Sequence, residues 1–177
     1  SFRQLLLFLD ACGSVEEGSK VCSSYYETKR KNKEHFKNRD PEDPKIKQCL
    51  AHQDYFFLPN TPSGDLVIFH RLSSSRASDY VFDEAIKTFF MTIDSCLSKN
   101  GPRDGAIFLF DMKGVGLMHL LRVNLSSIRK FFHYVQECVP GKLKDIHVMN
   151  VVPFFDKILA LIKPFVKAEI LKNVSMT

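Results

Sequence analysis

The segment from Gly105 to Thr177 limits the fold more than any other part of the chain. Gly105-Ala-Ile-Phe-Leu-Phe-Asp111 is an unbroken apolar run closed by an aspartate, which predicts a strand covered on both faces over residues 106–110. A glycine-containing turn follows, then helical periodicity over 126–139, then a second buried strand over 146–152. From Pro153 onward a helix is expected that is apolar on nearly every face, with Pro153 at its first turn and Pro164 breaking or kinking it. Such a helix is either deeply buried or covers something apolar.

The upstream half supplies the rest of an alternating pattern. Leu66–Leu72 reads as a strand and 73–78 as a loop. Over 79–98, Phe82, Ile86, Phe89, Phe90, Ile93 and Leu97 mark one face of a helix. Nearer the start, Ser14-Val-Glu-Glu17 has the capping-box pattern and opens a helix that runs through the basic stretch 29–33 to about Phe36. Asp40-Pro-Glu-Asp-Pro44 breaks it, a short helix over 45–52 follows, and Asn60-Thr-Pro-Ser-Gly-Asp65 is a turn cluster. The order is helices, then strand and helix alternating three times. This is an α/β chain, with an N-terminal helical subdomain over 1–60 and a domain built on a parallel sheet over 61–177.

The chemistry of catalysis is not legible in this pattern. No Gly-x-Ser-x-Gly elbow occurs. Cys96 and Arg103 are close in sequence, but Cys96 falls on a helix rather than in a phosphate loop. Gly114-Val-Gly116 follows a strand, yet the third glycine of a dinucleotide fingerprint is replaced by His119, so a tight turn after Asp111 is the simpler reading. In that turn Asp111 accepts backbone N–H groups. His70, His119, His133 and His147 never share a metal-ligand spacing, and His147 reads as a hydrogen-bonded core histidine. The five cysteines are unpaired in pattern, which fits a reducing, cytosolic setting better than a disulfide framework or structural zinc. Asn124-Leu-Ser126 and Asn173-Val-Ser175 match the glycosylation pattern, which a cytosolic protein would not use. No enzyme, cofactor or metal is therefore expected. Residues 29–33 read as a solvated helix face, and nucleic acid is not an expected partner. Leu5-Leu-Leu-Phe-Leu9 is too short to span a membrane. Sixteen phenylalanines and no tryptophan point instead to a core or cavity walled by aromatic rings.

Several short motifs occur in register: Leu7-Phe-Leu-Asp-Ala-Cys12, Asn38-Arg-Asp-Pro41, Phe57-Leu-Pro59, Gly105 to Asp111 with Gly114, Val139-Pro140, Ile146-His147-x-x-Asn150 and Ile162-Lys-Pro-Phe165. On these the chain resembles the CRAL-TRIO lipid-transfer family, closest to its α-tocopherol-transfer and retinaldehyde-binding branch. The resemblance covers nearly the whole chain. It implies a mostly parallel sheet floored by helices, an apolar cavity closed by a mobile gate helix, and a cytosolic carrier that exchanges a tocopherol-, retinoid- or phospholipid-like molecule through transient contact with anionic membrane. It implies cavity positions at Ile86, Phe90, Ile93, Phe110, Val123, Phe131, Val135 and Ile146. The gate falls on 153–172, with Phe154, Phe155, Ile158, Leu159, Ile162 and Phe165. Lys142 and Lys144 fall on two positions that bind a phosphoinositide headgroup in some relatives, here on a loop before the strand at 146. Departures weaken that site: Asp10 stands where the family has a basic residue, and Glu169 and Asn173 stand at basic gate positions, with Lys167 and Lys172 beside them. The chain starts at Ser1 rather than Met, and the family continues past the match to Thr177, so a fragment with one incomplete cavity wall is expected. The alternative is a protein-interaction module of the same fold that has lost its ligand.

Overall fold

The computed structural model describes residues 2–101, 103 and 105–177. Four helices lead in: α1 (Phe2–Ala11), α2 (Val15–Lys31), α3 (Lys33–Phe36) and α4 (Pro44–His52). Ser14 caps α2, its hydroxyl accepting the Glu17 N–H at 3.1 Å, as the capping pattern requires. The single helix expected up to Phe36 is interrupted at Asn32, which ends α2 and begins α3. Asp43 caps α4 through the Lys45 N–H, with Pro44 at the first helical position.

One five-stranded sheet follows, in spatial order β1 (Gln53–Leu58), β2 (Leu66–Leu72), β3 (Gly105–Asp111), β4 (Lys142–Met149) and β5 (Ser175–Met176). β1 pairs antiparallel with β2, from Gln53 opposite Leu72 to Leu58 opposite Val67. The other pairs are parallel. β1 is absent from the sequence expectation because Gln53-Asp-Tyr-Phe-Phe-Leu58 has no clean alternation and follows α4 without a turn. A division at residue 60 would fall between these two paired strands. β4 starts four residues earlier than the expected 146, and Lys142 and Lys144 therefore sit on a strand, not on a loop. A register shift beside Ala106 and Ile107 puts Lys144 in a bulge, so Leu143, Ile146 and Val148 all reach the buried face. The tight turn into β4 needs glycine at 141: its φ is +102°, and a Cβ there would lie 2.6 Å from the Arg103 carbonyl oxygen.

The crossovers are made by α5 (Phe82–Asn100), α6 (Leu117–Leu120) with α7 (Leu125–Glu137), and α8 (Phe155–Ile162) with α9 (Ala168–Asn173). α5 buries the stripe read from sequence, with Ile86, Phe89, Phe90 and Ile93 in the core. The last helix is not continuous. A 3-10 turn over Lys163–Phe165 separates α8 from α9, since Pro164 lacks the N–H an α-helix would need. His147 is a further correction. It lies half-exposed beside Asp145 (3.1 Å) and against Ser175 rather than in the core, because its place on β4 points it to the face opposite Ile146 and Val148.

A charged cluster on α5 helps dock α2 and the segment after α3. Asp94 of α5 takes Lys29 Nζ and Arg39 Nη1, both at 2.7 Å, and accepts from the Tyr134 hydroxyl at 2.9 Å. Lys29 is thus half-buried rather than part of a solvated face. Burial raises the Asp94 carboxyl, but Lys29 and Arg39 outweigh this and hold it below its ordinary value. The pairs therefore stabilise the fold above the ordinary carboxylate pKa, and the contribution is lost as pH falls through the lowered native value. Asp94→Asn should cost about 3 kcal/mol in urea unfolding at pH 7, because two cations lose their partner. The gap from the native chain should narrow near pH 3. An equal gap at both pH values would contradict the role given to Asp94.

Candidate functional site

β3 and β4 end at residues that hold each other. Asn150, in the left-handed region at φ 51°, donates from Nδ2 to Asp111 Oδ1 at 2.8 Å. The same oxygen accepts the Lys113 N–H at 2.9 Å, the turn role expected of Asp111. Beyond these strand ends, between the sheet, α5, α7 and α8, lies a cavity of about 260 Å³. Its position follows the rule that sites in parallel sheets open at the carboxyl ends of strands.

Aromatic rings make most of one wall. Phe89 sits edge-on to Phe108 at 5.0 Å and to Phe131 at 5.3 Å, and stacks with Phe110 at 5.9 Å. Of the positions singled out from sequence, Ile86, Phe110, Val123, Phe131 and Ile146 line the cavity. Phe90, Ile93 and Val135 lie off it. Phe90 is fully enclosed, packed on Phe36 at 5.1 Å and Tyr134 at 4.4 Å. Ile93 and Val135 border a smaller void of about 30 Å³ nearer the amino ends of the strands. From the gate segment, Phe155, Ile158 and Ile162 reach the cavity, as does Leu161, while Phe154, Leu159 and Phe165 do not. One face of α8 thus forms the wall, and its other side is largely open to solvent at Asp156, Lys157 and Ala160.

Five wall residues carry side-chain oxygen or nitrogen atoms, Asp111 at the end of β3 among them. Tyr55, His70, Tyr80 and His119 all line the cavity. Tyr55 and His70 rings are 4.8 Å apart, and Tyr80 and His119 rings 5.5 Å apart. His70 Nε2 meets Gln53 Oε1 at 3.0 Å, and burial lowers its pKa to about 4. Burial likewise lowers His119 and raises the Tyr80 hydroxyl. All three are uncharged at neutral pH. Tyr55, Tyr80 and the cavity role of His119 carry no signal in sequence beyond lying near strand or helix ends.

Lys142 and Lys144 stand at the other end of the sheet. Lys144 Nζ is 2.6 Å from Oδ1 of the buried Asp65, and that contact holds the Asp65 carboxyl below its ordinary value. Gly105 leaves room for this pair, since a Cβ there would fall 2.4 Å from the Lys144 side chain and 2.6 Å from Asp65 Oδ1 and would displace them. Lys142 is exposed and makes no ion pair among the described residues. No group of three or more potential metal ligands occurs among the described residues. No helix there is long and apolar enough to cross a membrane.

The fold and cavity define a mixed α/β protein with an apolar chamber at the carboxyl ends of a mostly parallel sheet. Residues 52–177 match the family model of the CRAL/TRIO domain, and the chain belongs to that family. It is 30% identical over 149 residues to the alpha-tocopherol transfer protein-like protein of Homo sapiens, covering 83% of this chain and 43% of that protein. It is 19% identical over 160 residues to clavesin-2 of Homo sapiens, covering 89% and 49%. The chain thus spans less than half the length of these relatives. The crystal structure of Sfh5 superposes with a TM-score of 0.64 at 14% identity, over 98% of this chain and 63% of that one, which shows a shared fold.

Val148 faces the cavity from β4. Val148→Phe should place a ring in that space. Affinity for the neutral fluorophore N-phenyl-1-naphthylamine should fall at least about fivefold, with stability unchanged or raised by about 1 kcal/mol. Unchanged uptake with a loss of about 1–3 kcal/mol, the signature of overpacking, would mean that the space is not accessible to a guest.

Proposed function

We propose that this chain binds a small hydrophobic molecule in the cavity beside α8 and carries it between membranes. The observation that supports this most directly is the cavity itself, walled mostly by apolar side chains. The cavity is partly open to solvent and its wall is mostly apolar, so a guest that covers this wall gains the free energy of apolar burial. Burying about 400 Å² of its apolar surface is worth on the order of 10 kcal/mol relative to water, before ordering costs. Relative to a bilayer the same term is small, since lipid tails already shelter the molecule, so shape and closure of α8 set selectivity. The mechanism is physical: no bond is made or broken. Membership of the CRAL/TRIO family and likeness to an alpha-tocopherol transfer protein-like protein support the same reading.

Exchange needs contact with a membrane, and two separate surfaces suit it. Leu117, Met118, Leu121 and Leu125 are exposed on α6 and the start of α7, next to the cavity residues Leu120 and Val123. Exposed Arg122 and Arg129 flank them. Shallow insertion of these side chains would place the cavity at the lipid boundary. Lys142 lies at the opposite end of the sheet and attracts anionic headgroups independently, phosphoinositides included, whereas Lys144 is tied to Asp65.

A vesicle-to-vesicle transfer assay with a fluorescent apolar lipid separates these parts. Leu121→Asp should slow transfer at least about fivefold while equilibrium uptake of the lipid is retained. Lys142→Glu should slow transfer about threefold to phosphatidylserine-containing acceptors only. Unaltered rates in Leu121→Asp would remove α6 from the membrane contact. Failure of the native chain to take up or move lipid would overturn carriage itself.

A further inference from the structure

One wall of the chamber is held less firmly than the rest. α5 and α7 each bury several core residues, and the sheet is tied by its ladders. α8 fully buries only Phe155, while Ile158, Leu161 and Ile162 face the cavity and the outer side meets solvent. What fixes α8 at its carboxyl end therefore bears on how a guest enters and leaves. Lys163 and Pro164 there are exposed. Val166 is extended, at φ −99° and ψ 132°, so the helical ladder stops at it. The Phe165 carbonyl and the Lys167 N–H flank it, point the same way and have no helical partner.

A single side chain of α7 takes both. Gln136 Nε2 donates to the Phe165 oxygen at 2.9 Å, and Gln136 Oε1 accepts the Lys167 N–H at 2.8 Å. The other Nε2 hydrogen goes to the Phe132 carbonyl, one turn back on α7, at 2.9 Å, which orients the amide. A neighbouring strand would pair with the backbone around Val166 through the same two groups. Beside this clamp, Lys167 Nζ meets Glu137 Oε1 at 2.8 Å, an exposed pair that adds little. Below it, Val166 and Ile170 are buried, at 7% and 2% exposure. The chain is thus held tightly from 165 onward and loosely before it, with the exposed turn at Lys163 and Pro164 between. We propose that Gln136 is a positioning residue that pins the carboxyl end of α8, so that α8 pivots at 163–165 and the clamp sets how fast a guest exchanges. This rests on the carrier reading above and adds its kinetic control. Gln136 does not line the cavity, so it acts on passage and not on the fit of the guest. Losing the clamp favours the open wall equally in the empty and the filled chain. Entry and exit then quicken by one factor, and their ratio, the affinity, is kept.

Stopped-flow fluorescence of N-phenyl-1-naphthylamine with the whole chain tests this. Gln136→Leu keeps an apolar stem but offers no hydrogen bond. Its association and dissociation rates should both rise about tenfold, the worth of one net hydrogen bond, with Kd within about twofold of native. Gln136→Glu still accepts the Lys167 N–H but sets a carboxylate oxygen against the Phe165 carbonyl. It should quicken both rates by at least about threefold. Asp94→Asn, which loosens the fold at the back of α5 and leaves the hinge alone, should exchange at native rates. Should Gln136→Leu not fold, Gln136→Glu decides by the same measurement. Native rates in the Gln136 variants, a weakened Kd at an unchanged association rate, or equal quickening in Asp94→Asn would overturn the clamp and leave carriage standing. No fluorophore uptake by the native chain would overturn both.

Discussion

Four phenylalanine rings brace one another across three elements, and the chamber depends on that bracing. Phe89 comes from α5, Phe108 and Phe110 from β3, and Phe131 from α7. Five of their six centroid pairs lie between 5.0 and 6.3 Å apart. A phenyl ring is a rigid plane and turns only where its whole width has room. Once each ring rests on its neighbours, none can turn into the space beside α8 without losing contacts elsewhere. The helices are held at a separation that the residues between them do not fill.

The two ends of the parallel strands differ in what they present. At the carboxyl ends, the Asp111 and Asn150 pair closes the turn after β3, and the cavity and the exposed leucines around α6 gather there. At the amino ends, Lys142 and Lys144 sit above Asp65 and Gly105. In the proposed carriage, the first surface meets the guest and the lipid boundary, and the second acts through charge. The Asp94 cluster ties α2 and the chain at Arg39 to the back of α5, away from the chamber wall. The lead-in helices thereby stiffen the helix on which Ile86 and Phe89 stand.

The features that a local pattern decides were readable in the sequence: the capped start of α2, the apolar stripe of α5, the strand at Ile107 to Phe110, the turn at Asp111 and the break at Pro164. What depends on the partner across space was not. β1 becomes a strand because β2 offers it an edge, not because its own residues alternate. Lys144 enters a bulge only through the register with β3. The hollow was legible as a tendency and not as a boundary. Ile86 and Phe90 lie four residues apart on one helical face, yet Ile86 touches the cavity and Phe90 is wedged between Phe36 and Tyr134. Periodicity tells which side of a helix is inward. Whether the inward atoms meet a neighbour or a void depends on the separation of elements distant in sequence. For the same reason His119 reads as a turn residue in sequence, and its place in the cavity wall shows only in the structure.

The central claim is that the chamber is a container for a lipid. Native mass spectrometry of the chain purified without detergent, with chloroform extraction and identification of whatever is released, tests it most directly. The expected result is a one-to-one complex with an apolar molecule that survives gentle desolvation and leaves on collisional activation. A bare polypeptide mass in every preparation, with no lipid in the extract even after incubation with liposomes, would contradict the account.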